Sequence, residues 1–408
     1  MDLPLTQIQA AAAAAQDDLI DFTRQIVRIP SLPGEENEVA AVIGRKMQQL
    51  GYDEVWTDDA GNVIGKIKGG AGPTVMLNGH MDHVDPGPVE DWPQPPFSGN
   101  IVDGELWGRA SVDMKGPVAC MMVATGLLKR LDLTPPGDVY MTVPVMEEIG
   151  GVGTQFLTTH LKAAAAICGE PSHNTLRRGH RGRVELGVTF KGRSAHASIP
   201  RRAINPHYSA AALLTYLSSV DMAHDEALGQ ATVAPTLYTI DQRSPNVIPA
   251  EVRLLLDWRN VPTESPADII AKAQGWLEAS LAGLEAGQVS QPTVEITTRE
   301  LTTYTGMVKM FPSIFPSYLL PEDNVFIQTA QETLIEVLER DEGVDIWRFA
   351  TDGGHLMAAG IPTIGFGPGD EQLAHTNQER ISLAQMNEAV VAYTALILAL
   401  AEAAERNT

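Results

Sequence analysis

Gly79-His80-Met81-Asp82 follows a short apolar run at residues 74–77, and the adjacent pair Glu147-Glu148 follows another at residues 139–145. Runs of this length and composition are typical of buried strands. In open α/β sheets, ligands gather outside the carboxyl ends of the strands, so an imidazole and several carboxylates are expected to converge there. Because metal ions bind such groups, the sequence predicts a metal site.

The composition sets bounds on size and on partners. The chain has 408 residues, of which 44% are hydrophobic, and this is enough for two domains with sizeable cores. Its 51 acidic residues outnumber 29 basic ones, which gives a formal net charge of -22. A charge of this sign argues against binding to nucleic acid or to an anionic membrane.

The cysteines and the two ends of the chain bear on its compartment. Cys120 and Cys168 lie in apolar stretches and are interpreted as buried thiols of a protein in a reducing compartment. The alanine-rich residues 10–15 lack a preceding basic segment and are expected to belong to an amphipathic helix that runs towards Val27. Residues 386–404 are interrupted by polar side chains and are not expected to cross a membrane. We therefore expect a cytoplasmic protein.

The order of elements predicts an α/β domain into which a second domain is inserted. Through the first 180 residues, strands at 63–67, 74–77, 139–145 and 164–167 alternate with helices at 114–131 and 153–161. From Val184 the pattern changes to α+β, with strands at 184–190, 236–240, 252–258 and 293–297 and helices at 206–219 and 266–281. A loop at 304–321, a helix at 324–338, a strand at 363–366 and a last helix follow. The α/β domain is predicted to comprise residues 1–182 and 299–408, and the inserted domain residues 183–298.

Candidate ligands stand near the ends of the predicted strands. His80 and Asp82 share a face of an extended segment, so Asp82 could accept the second imidazole N–H and orient a metal-bound His80. Asp113 precedes a long helix and is either an N-terminal cap or a carboxylate that bridges two metals. Of Glu147 and Glu148, one could bind metal while the other acts as general base. Each residue taken separately also fits a structural role.

Eight motifs in order carry a family resemblance that spans residues 26–381. They are GHMD (79–82), GRASVDMKG (108–116), MEEIGGVG (146–153), GEPS (169–172), GRSAHAS (192–198), SPNVIP (244–249), DWR (257–259) and GFGPGDEQLAHTNQE (365–379). This series resembles the dinuclear zinc hydrolases, a group that includes acetylornithine deacetylase, succinyl-diaminopimelate desuccinylase, aminoacylase and glutamate carboxypeptidase. The resemblance implies a zinc-exopeptidase-like catalytic domain, a mixed sheet flanked by helices, with an inserted α+β lid and dimerisation domain.

The same resemblance implies roles for the candidate ligands. His80 and Glu170 would bind one metal, Glu148 and His375 would bind the other, and Asp113 would bridge them. Zinc is the expected ion at two sites per chain, and cobalt or manganese could occupy the same ligands. Glu147 would be the general base, close to the metals but not bound to them.

Further roles are implied outside the ligand set. His196 would reach across a homodimer to stabilise the oxyanion, and Asn246 and Arg259 would bind the substrate carboxylate, for which the planar fork of arginine is suited. The backbone at Gly367 and Gly369 would line the same pocket, since glycine permits close approach.

The expected function is hydrolysis of an amide bond in an N-acyl amino acid or of a C-terminal peptide bond, as in a deacylase or carboxypeptidase. The glutamate at position 170 resembles the residue of the deacylase and carboxypeptidase branches more than that of the aminopeptidase branch. The alternatives are a dipeptidase or aminopeptidase of the same family and, from another class, a metal-binding relative without catalysis. The presence of Glu147 argues against a relative without catalysis, because a protein that only binds metal does not need a general base that is not a metal ligand.

Overall fold

The computed structural model describes residues 3–285 and 289–407. The α-helices are α1 (Leu5–Val27), α2 (Asn37–Gln49), α3 (Gly116–Arg130), α4 (Val152–Leu157), α5 (Pro206–Leu217), α6 (Pro266–Leu281), α7 (Val325–Leu338), α8 (Gly353–Ala358) and α9 (Leu383–Arg406).

The strands are β1 (Glu54–Thr57), β2 (Val63–Ile67), β3 (Val75–Asn78), β4 (Asn100–Val102), β5 (Glu105–Trp107), β6 (Val139–Val143), β7 (Ala165–Cys168), β8 (Leu176–His180), β9 (Arg183–Lys191), β10 (Ala195–His196), β11 (His224–Asp225), β12 (Gly229–Gln230), β13 (Thr232–Ile240), β14 (Val247–Ile248), β15 (Glu251–Arg259), β16 (Gln291–Ile296), β17 (Thr298–Thr302), β18 (Val308–Pro312), β19 (Ile314–Phe315), β20 (Tyr318–Leu319), β21 (Val344–Trp347), β22 (Thr363–Gly365) and β23 (Arg380–Ser382).

The chain divides into two compact units. Unit 1 contains the described residues up to Gly179, then Glu300–Lys309 and the described residues from Leu319 onwards. Unit 2 contains His180–Arg299 and Met310–Tyr318. The sequence prediction divides the chain after residues 182 and 298, whereas unit 2 begins at His180, ends its main part at Arg299 and also contains residues 310–318, which the prediction placed in the catalytic domain.

Unit 1 is built on a mixed sheet between two layers of helices. The strand order is β1-β2-β6-β3-β7-β22-β8, and β20 and β21 pair with β8. Strands β6, β3, β7 and β22 run parallel to one another, while β1, β2 and β8 are antiparallel to their neighbours. The carboxyl ends of the four parallel strands therefore meet at one edge, which is where an α/β sheet places its ligands.

Side chains of the parallel strands point alternately to the two faces of this sheet, and both faces are packed in a hydrophobic core. Met76 on β3 packs in a buried cluster with Leu157 of α4 and Leu356 of α8. Val75 and Leu77, which alternation directs to the opposite face, are also fully buried, and α3 and α9 pack against β3 and its neighbours. The expected α/β class is confirmed, and its parallel strands are buried except at Tyr140 of β6.

Helix α9 is a core helix of unit 1. By length and composition it could cross a membrane, but 67% of its most apolar stretch is buried inside the fold. Its N-cap residue is Ser382, whose hydroxyl accepts the Gln385 N–H at 3.4 Å. It packs against α1, α3 and α7.

Unit 2 is an antiparallel sheet with helices α5 and α6 packed against it. Its strand order is β13-β15-β9-β16, and β19 also pairs with β9. Trp258 of β15 and Trp276 of α6 stack with ring centroids 4.9 Å apart in the buried core. A capping box between Ser265 and Asp268 starts α6.

Several sequence expectations differ from the structure in extent. The loop expected at 304–321 is wrong in part, because β18 pairs with β17 as a two-stranded ribbon and β19 and β20 each join a sheet. The strand expected to reach residue 145 ends at Val143, since Pro144 has no N–H to donate. The helix expected at 153–161 ends at Leu157. Helix α2 and the short strands β4, β5 and β21 were not expected from the periodicity.

Candidate metal centre and active site

The candidate ligands come from loops that follow the parallel strands and from two connecting segments. His80 lies two residues after β3, Glu148 five residues after β6, and Glu170 two residues after β7. Asp113 lies in the segment that enters α3, and His375 lies between β22 and β23. The structure brings these five side chains together at the carboxyl edge of the sheet in unit 1.

The first ligand group consists of His80, Asp113 and Glu170, and all three residues are buried. The Nε2 atom of His80 lies 3.0 Å from Oδ1 of Asp113 and 3.6 Å from Oε1 of Glu170. One donor atom from each side chain lies within 4.8 Å of the others, so one cation could contact all three.

The second ligand group consists of Asp113, Glu148 and His375. The Nε2 atom of His375 lies 3.1 Å from Oδ2 of Asp113 and 3.1 Å from the carboxylate of Glu148. The two groups share Asp113, whose Oδ1 faces His80 and whose Oδ2 faces His375. A carboxylate that presents one oxygen to each group has the geometry of a bridging ligand.

The charges at this edge fit a site for cations. Burial raises the pKa of Glu148, and it raises that of Glu170 well above the usual value; in both cases the nearby Asp113 adds to the shift. Burial opposes ionisation of Asp113, but hydrogen bonds from His375 and His80 lower its pKa. Hydrogen bonds to Asp113 and Glu148 raise the pKa of His375 to about 10. Concentrated carboxylates that draw protons onto neighbouring imidazoles are a donor set that divalent cations would neutralise.

Glu147 lies beside this cluster but belongs to neither ligand group. Its side chain is 6% exposed. Burial raises its pKa well above the usual value, and the carboxylates of Asp352 and Glu170 add to the shift although His80 opposes it. A carboxyl group that readily holds a proton beside the ligands suits a general acid–base role.

Asp82 makes more contacts than the single one expected, with the imidazole of His80. Its Oδ1 lies 3.4 Å from Nδ1 of His80, while its own backbone carbonyl lies closer to that nitrogen, at 3.1 Å. The carboxylate also accepts the backbone N–H of Glu147 at Oδ1 (3.0 Å) and that of Glu148 at Oδ2 (3.1 Å). Asp82 thus connects His80 to the segment that carries the base and another ligand.

Glu379 is a buried residue for which the sequence suggested no role. Its Oε1 accepts the backbone N–H of Val112 and of Asp113, each at 3.1 Å, and its Oε2 accepts from Arg109 at 2.5 Å. It lies four residues after His375 and is fully buried. Its place within the last family motif was the signal that could have indicated it.

The glycine loop expected to line the substrate pocket packs behind a ligand. At Gly367, a Cβ atom would lie 2.4 Å from the carbonyl oxygens of Gly169 and Glu170, so only glycine allows the two backbones to approach this closely. Gly369, with φ +102°, donates its N–H to Oε1 of Gln385 at 2.8 Å. The loop therefore supports the chain that presents Glu170, and pocket lining stays a prediction.

Two of the three candidates in unit 2 are neighbours on a short ribbon. His196 of β10 pairs with Val247 of β14, and the Ala197 N–H donates to the backbone carbonyl of Asn246 at 2.9 Å. His196 is exposed, and its Nδ1 accepts the Ser198 N–H at 3.2 Å. In the neutral imidazole this acceptor role places the proton on Nε2.

Arg259 lies at the end of β15 and is already paired. It donates to Asp257 through Nε at 2.6 Å and through Nη2 at 3.2 Å. Asp257 also accepts from Arg183 at 2.8 Å. Although burial opposes it, this double pairing lowers the pKa of Asp257. About a third of the Arg259 side chain remains exposed, so the guanidinium is held in place without being enclosed.

Residues 76–399 match the model of peptidase family M20/M25/M40. The chain belongs to this family. A succinyl-diaminopimelate desuccinylase of Cereibacter sphaeroides is 33% identical over 285 residues, which cover 66% of this chain and 73% of that one. The uncharacterised protein YgeY of Escherichia coli is 29% identical over 410 residues, which cover 97% of this chain and 98% of that protein.

Solved structures share the fold of this M20 chain. The aminopeptidase PepT of Bacillus cereus superposes with a TM-score of 0.72 at 20% identity, over 95% of this chain and 99% of that one. Family membership confirms the sequence expectation of a metal-dependent hydrolase that cleaves amide or peptide bonds of a small peptide or acyl amino acid. The two ligand groups that share Asp113 form a candidate dinuclear metal centre.

Proposed function

We propose that the chain hydrolyses an amide bond next to a carboxylate, in an N-acyl amino acid or at the C-terminus of a peptide. The observation that carries the mechanism is the pair of ligand groups that share Asp113, with Glu147 beside them and outside both. Glutamate at position 170 and the desuccinylase relative support the deacylase or carboxypeptidase branch.

In the proposed mechanism Glu147 moves the protons. His80, Asp113, Glu148, Glu170 and His375 would hold two divalent cations, which would supply Lewis acidity. Glu147 takes the proton of the attacking water and gives it to the leaving nitrogen. Asp82 fixes the orientation of His80 and the backbone of Glu147. Zinc suits the mixed imidazole and carboxylate ligands best, and cobalt or manganese could replace it.

The candidates of unit 2 complete the proposal. His196, with its proton on Nε2, donates to the oxyanion of the tetrahedral intermediate. Asn246 and Arg259 bind the substrate carboxylate, and the backbone at Gly367 and Gly369 borders it. We further propose a cytoplasmic location, as the two buried cysteines suggest.

A homodimer through unit 2 is part of this proposal, with His196 acting on the site of the other copy. Strand β13 ends the sheet order of unit 2, and most of its side chains are exposed. Leu237, Tyr238 and Ile240 on this edge are 42–51% exposed, and Tyr208 of α5 is 56% exposed. An edge strand with exposed apolar side chains is a surface that pairs readily with a second copy.

A matched substrate panel tests the proposed specificity. Protein loaded with zinc, cobalt or manganese would be given N-acetyl and N-succinyl amino acids, their carboxamide derivatives, and dipeptides with free or acetylated amino groups. We expect hydrolysis of the acyl amino acids and a loss in kcat/KM of at least about 100-fold when the carboxylate becomes a carboxamide. Cleavage that requires a free amino group would instead identify a dipeptidase or aminopeptidase.

A further inference from the structure

The segment Met146–Glu148 has an unusual set of backbone partners. Three consecutive N–H groups each donate to an oxygen of a buried carboxylate. The Met146 N–H donates to Oε1 of Glu36 at 3.2 Å, and those of Glu147 and Glu148 donate to the two oxygens of Asp82 at 3.0 and 3.1 Å. Successive N–H groups in such a turn form a concave site for acceptor oxygens, and here those oxygens belong to side chains of the protein.

Glu36 comes from a distant part of the chain, the loop that enters α2. It is fully buried, and its second oxygen, Oε2, accepts the Gly34 N–H at 2.9 Å. The carboxyl group is thus fixed on its own loop while it contacts the segment after β6. Its backbone carbonyl also accepts the Ala40 N–H at 2.9 Å in the first turn of α2.

Met146 makes this contact important for the local backbone. It has a left-handed conformation with φ +54°, which a residue with a side chain adopts at a cost. The residue is 2% exposed, so without Glu36 its backbone N–H would be buried without a hydrogen-bond partner. Glu36 therefore supports the conformation from which the chain continues into Glu147.

We propose that Glu36 is a positioning residue for catalysis, and that with Asp82 it forms a carboxylate clamp that fixes the Met146–Glu148 segment. The inference rests on the proposed role of Glu147 as general base. A base must lie within hydrogen-bond reach of its proton, and a displacement of about 1 Å can cost on the order of 100-fold in rate. The clamp determines where Glu147 and the ligand Glu148 lie.

Burying Glu36 close to Asp82 has an electrostatic cost. Burial and the charge of Asp82 raise the pKa of Glu36 to about 8. Two adjacent buried carboxylates are a poor way to obtain stability alone, because apolar side chains of similar size would avoid the desolvation. A requirement for fixed geometry explains why acids occupy both positions.

Kinetics of Glu36 variants in the metal-loaded enzyme test the proposal. We expect Glu36→Ala to lower kcat by about 10- to 100-fold, with KM changed less than about threefold. Glu36→Gln keeps one acceptor oxygen and should give an intermediate kcat, which also serves if Glu36→Ala does not fold. Glu264→Ala is the matched control, because Glu264 is a buried acid of unit 2 that accepts the Val261 N–H at 3.5 Å. At an equal loss of stability this control should keep the wild-type kcat.

Amide hydrogen exchange in the metal-free protein supplies a readout that does not depend on turnover. The N–H groups of residues 146–148 should exchange about tenfold faster or more in Glu36→Ala, and not in Glu264→Ala. Wild-type kcat and exchange in folded Glu36→Ala, or an equal loss of kcat in the control, would overturn the clamp. Failure of the proposed function would show differently, as full activity of Glu147→Gln.

Discussion

Most candidate residues of unit 1 are buried, with His375 as an exposed exception, and buried carboxylates hold the backbone of Asp113, Glu147 and Glu148. The candidates of unit 2 lie on exposed or half-exposed positions. His80, Asp113 and Glu170 are each at most 9% exposed. His196 and Asn246 are exposed on a two-stranded ribbon. The difference indicates that the buried part of the metal-binding machinery is preorganised, while the exposed His196 and Asn246 can adjust to the substrate.

The largest effect should come from the residue that links the two ligand groups. Asp113→Ala removes a ligand from both, so we expect metal content to fall well below two ions per chain and kcat/KM to fall by about 10³-fold or more. Elemental analysis with steady-state kinetics measures both. If the variant kept two tightly bound ions, Asp113 would not be a bridging ligand.

We expect a loss of activity of intermediate size when His196 on the exposed β10–β14 ribbon is replaced. His196→Ala should lower kcat by about 10²- to 10³-fold, the range for loss of one oxyanion donor, without loss of metal. If His196 acts across a dimer, mixing this variant with Glu147→Ala should restore activity, because a mixed dimer has one site with both residues intact. The matched control is a mixture of His196→Ala with the double variant that carries both His196→Ala and Glu147→Ala. This mixture should not restore activity. Full activity of a stable monomer would refute the action across a dimer.

Arg259 should affect binding more than the chemical step. Arg259→Lys loses the fork that pairs with carboxylates, so KM should rise by about 10-fold while kcat changes little. The carboxamide derivative of the substrate is the control, since it has no carboxylate to lose and should respond less. A fall in kcat at constant KM would place Arg259 in the chemical step.

The smallest expected effect is that of His83 on the pH dependence of the free energy of unfolding. His83 is fully buried, its Nε2 accepts the Ser31 N–H at 2.9 Å, and burial lowers its pKa to about 4. Because the folded-state pKa lies below that of the unfolded chain, this stabilisation is present above about pH 6.5 and is lost as the pH falls towards 4.

Denaturant unfolding of the metal-free protein measures this contribution. Between pH 7 and pH 5 the wild type should lose about 2 kcal/mol more stability than His83→Gln, which does not titrate. The comparison of the two proteins removes the contribution of the carboxylates. An identical pH dependence would show that His83 titrates normally.

The apolar strand pattern indicates only part of the candidate ligand set, and the family resemblance supplies the roles of Asp113 and His375, which lie in connecting segments. His80 and Glu170 lie two residues after buried strands, so topology alone brings them together. Glu36 and Glu379 could not be assigned in this way, since their partners are backbone N–H groups of distant segments. A backbone donor leaves no residue pattern in the sequence. The ribbon of β17 and β18 was hidden for a related reason, because its strands are short and mostly exposed.

The most direct test of the central claim is Glu147→Gln, because this change keeps the size of the side chain and removes its ability to carry the proton. We predict that kcat falls by about 10²- to 10⁴-fold while two divalent ions per chain remain bound. Retention of near wild-type kcat would show that Glu147 is not the general base. Loss of one ion would show that it is a ligand, which contradicts the division of roles between Glu147 and Glu148.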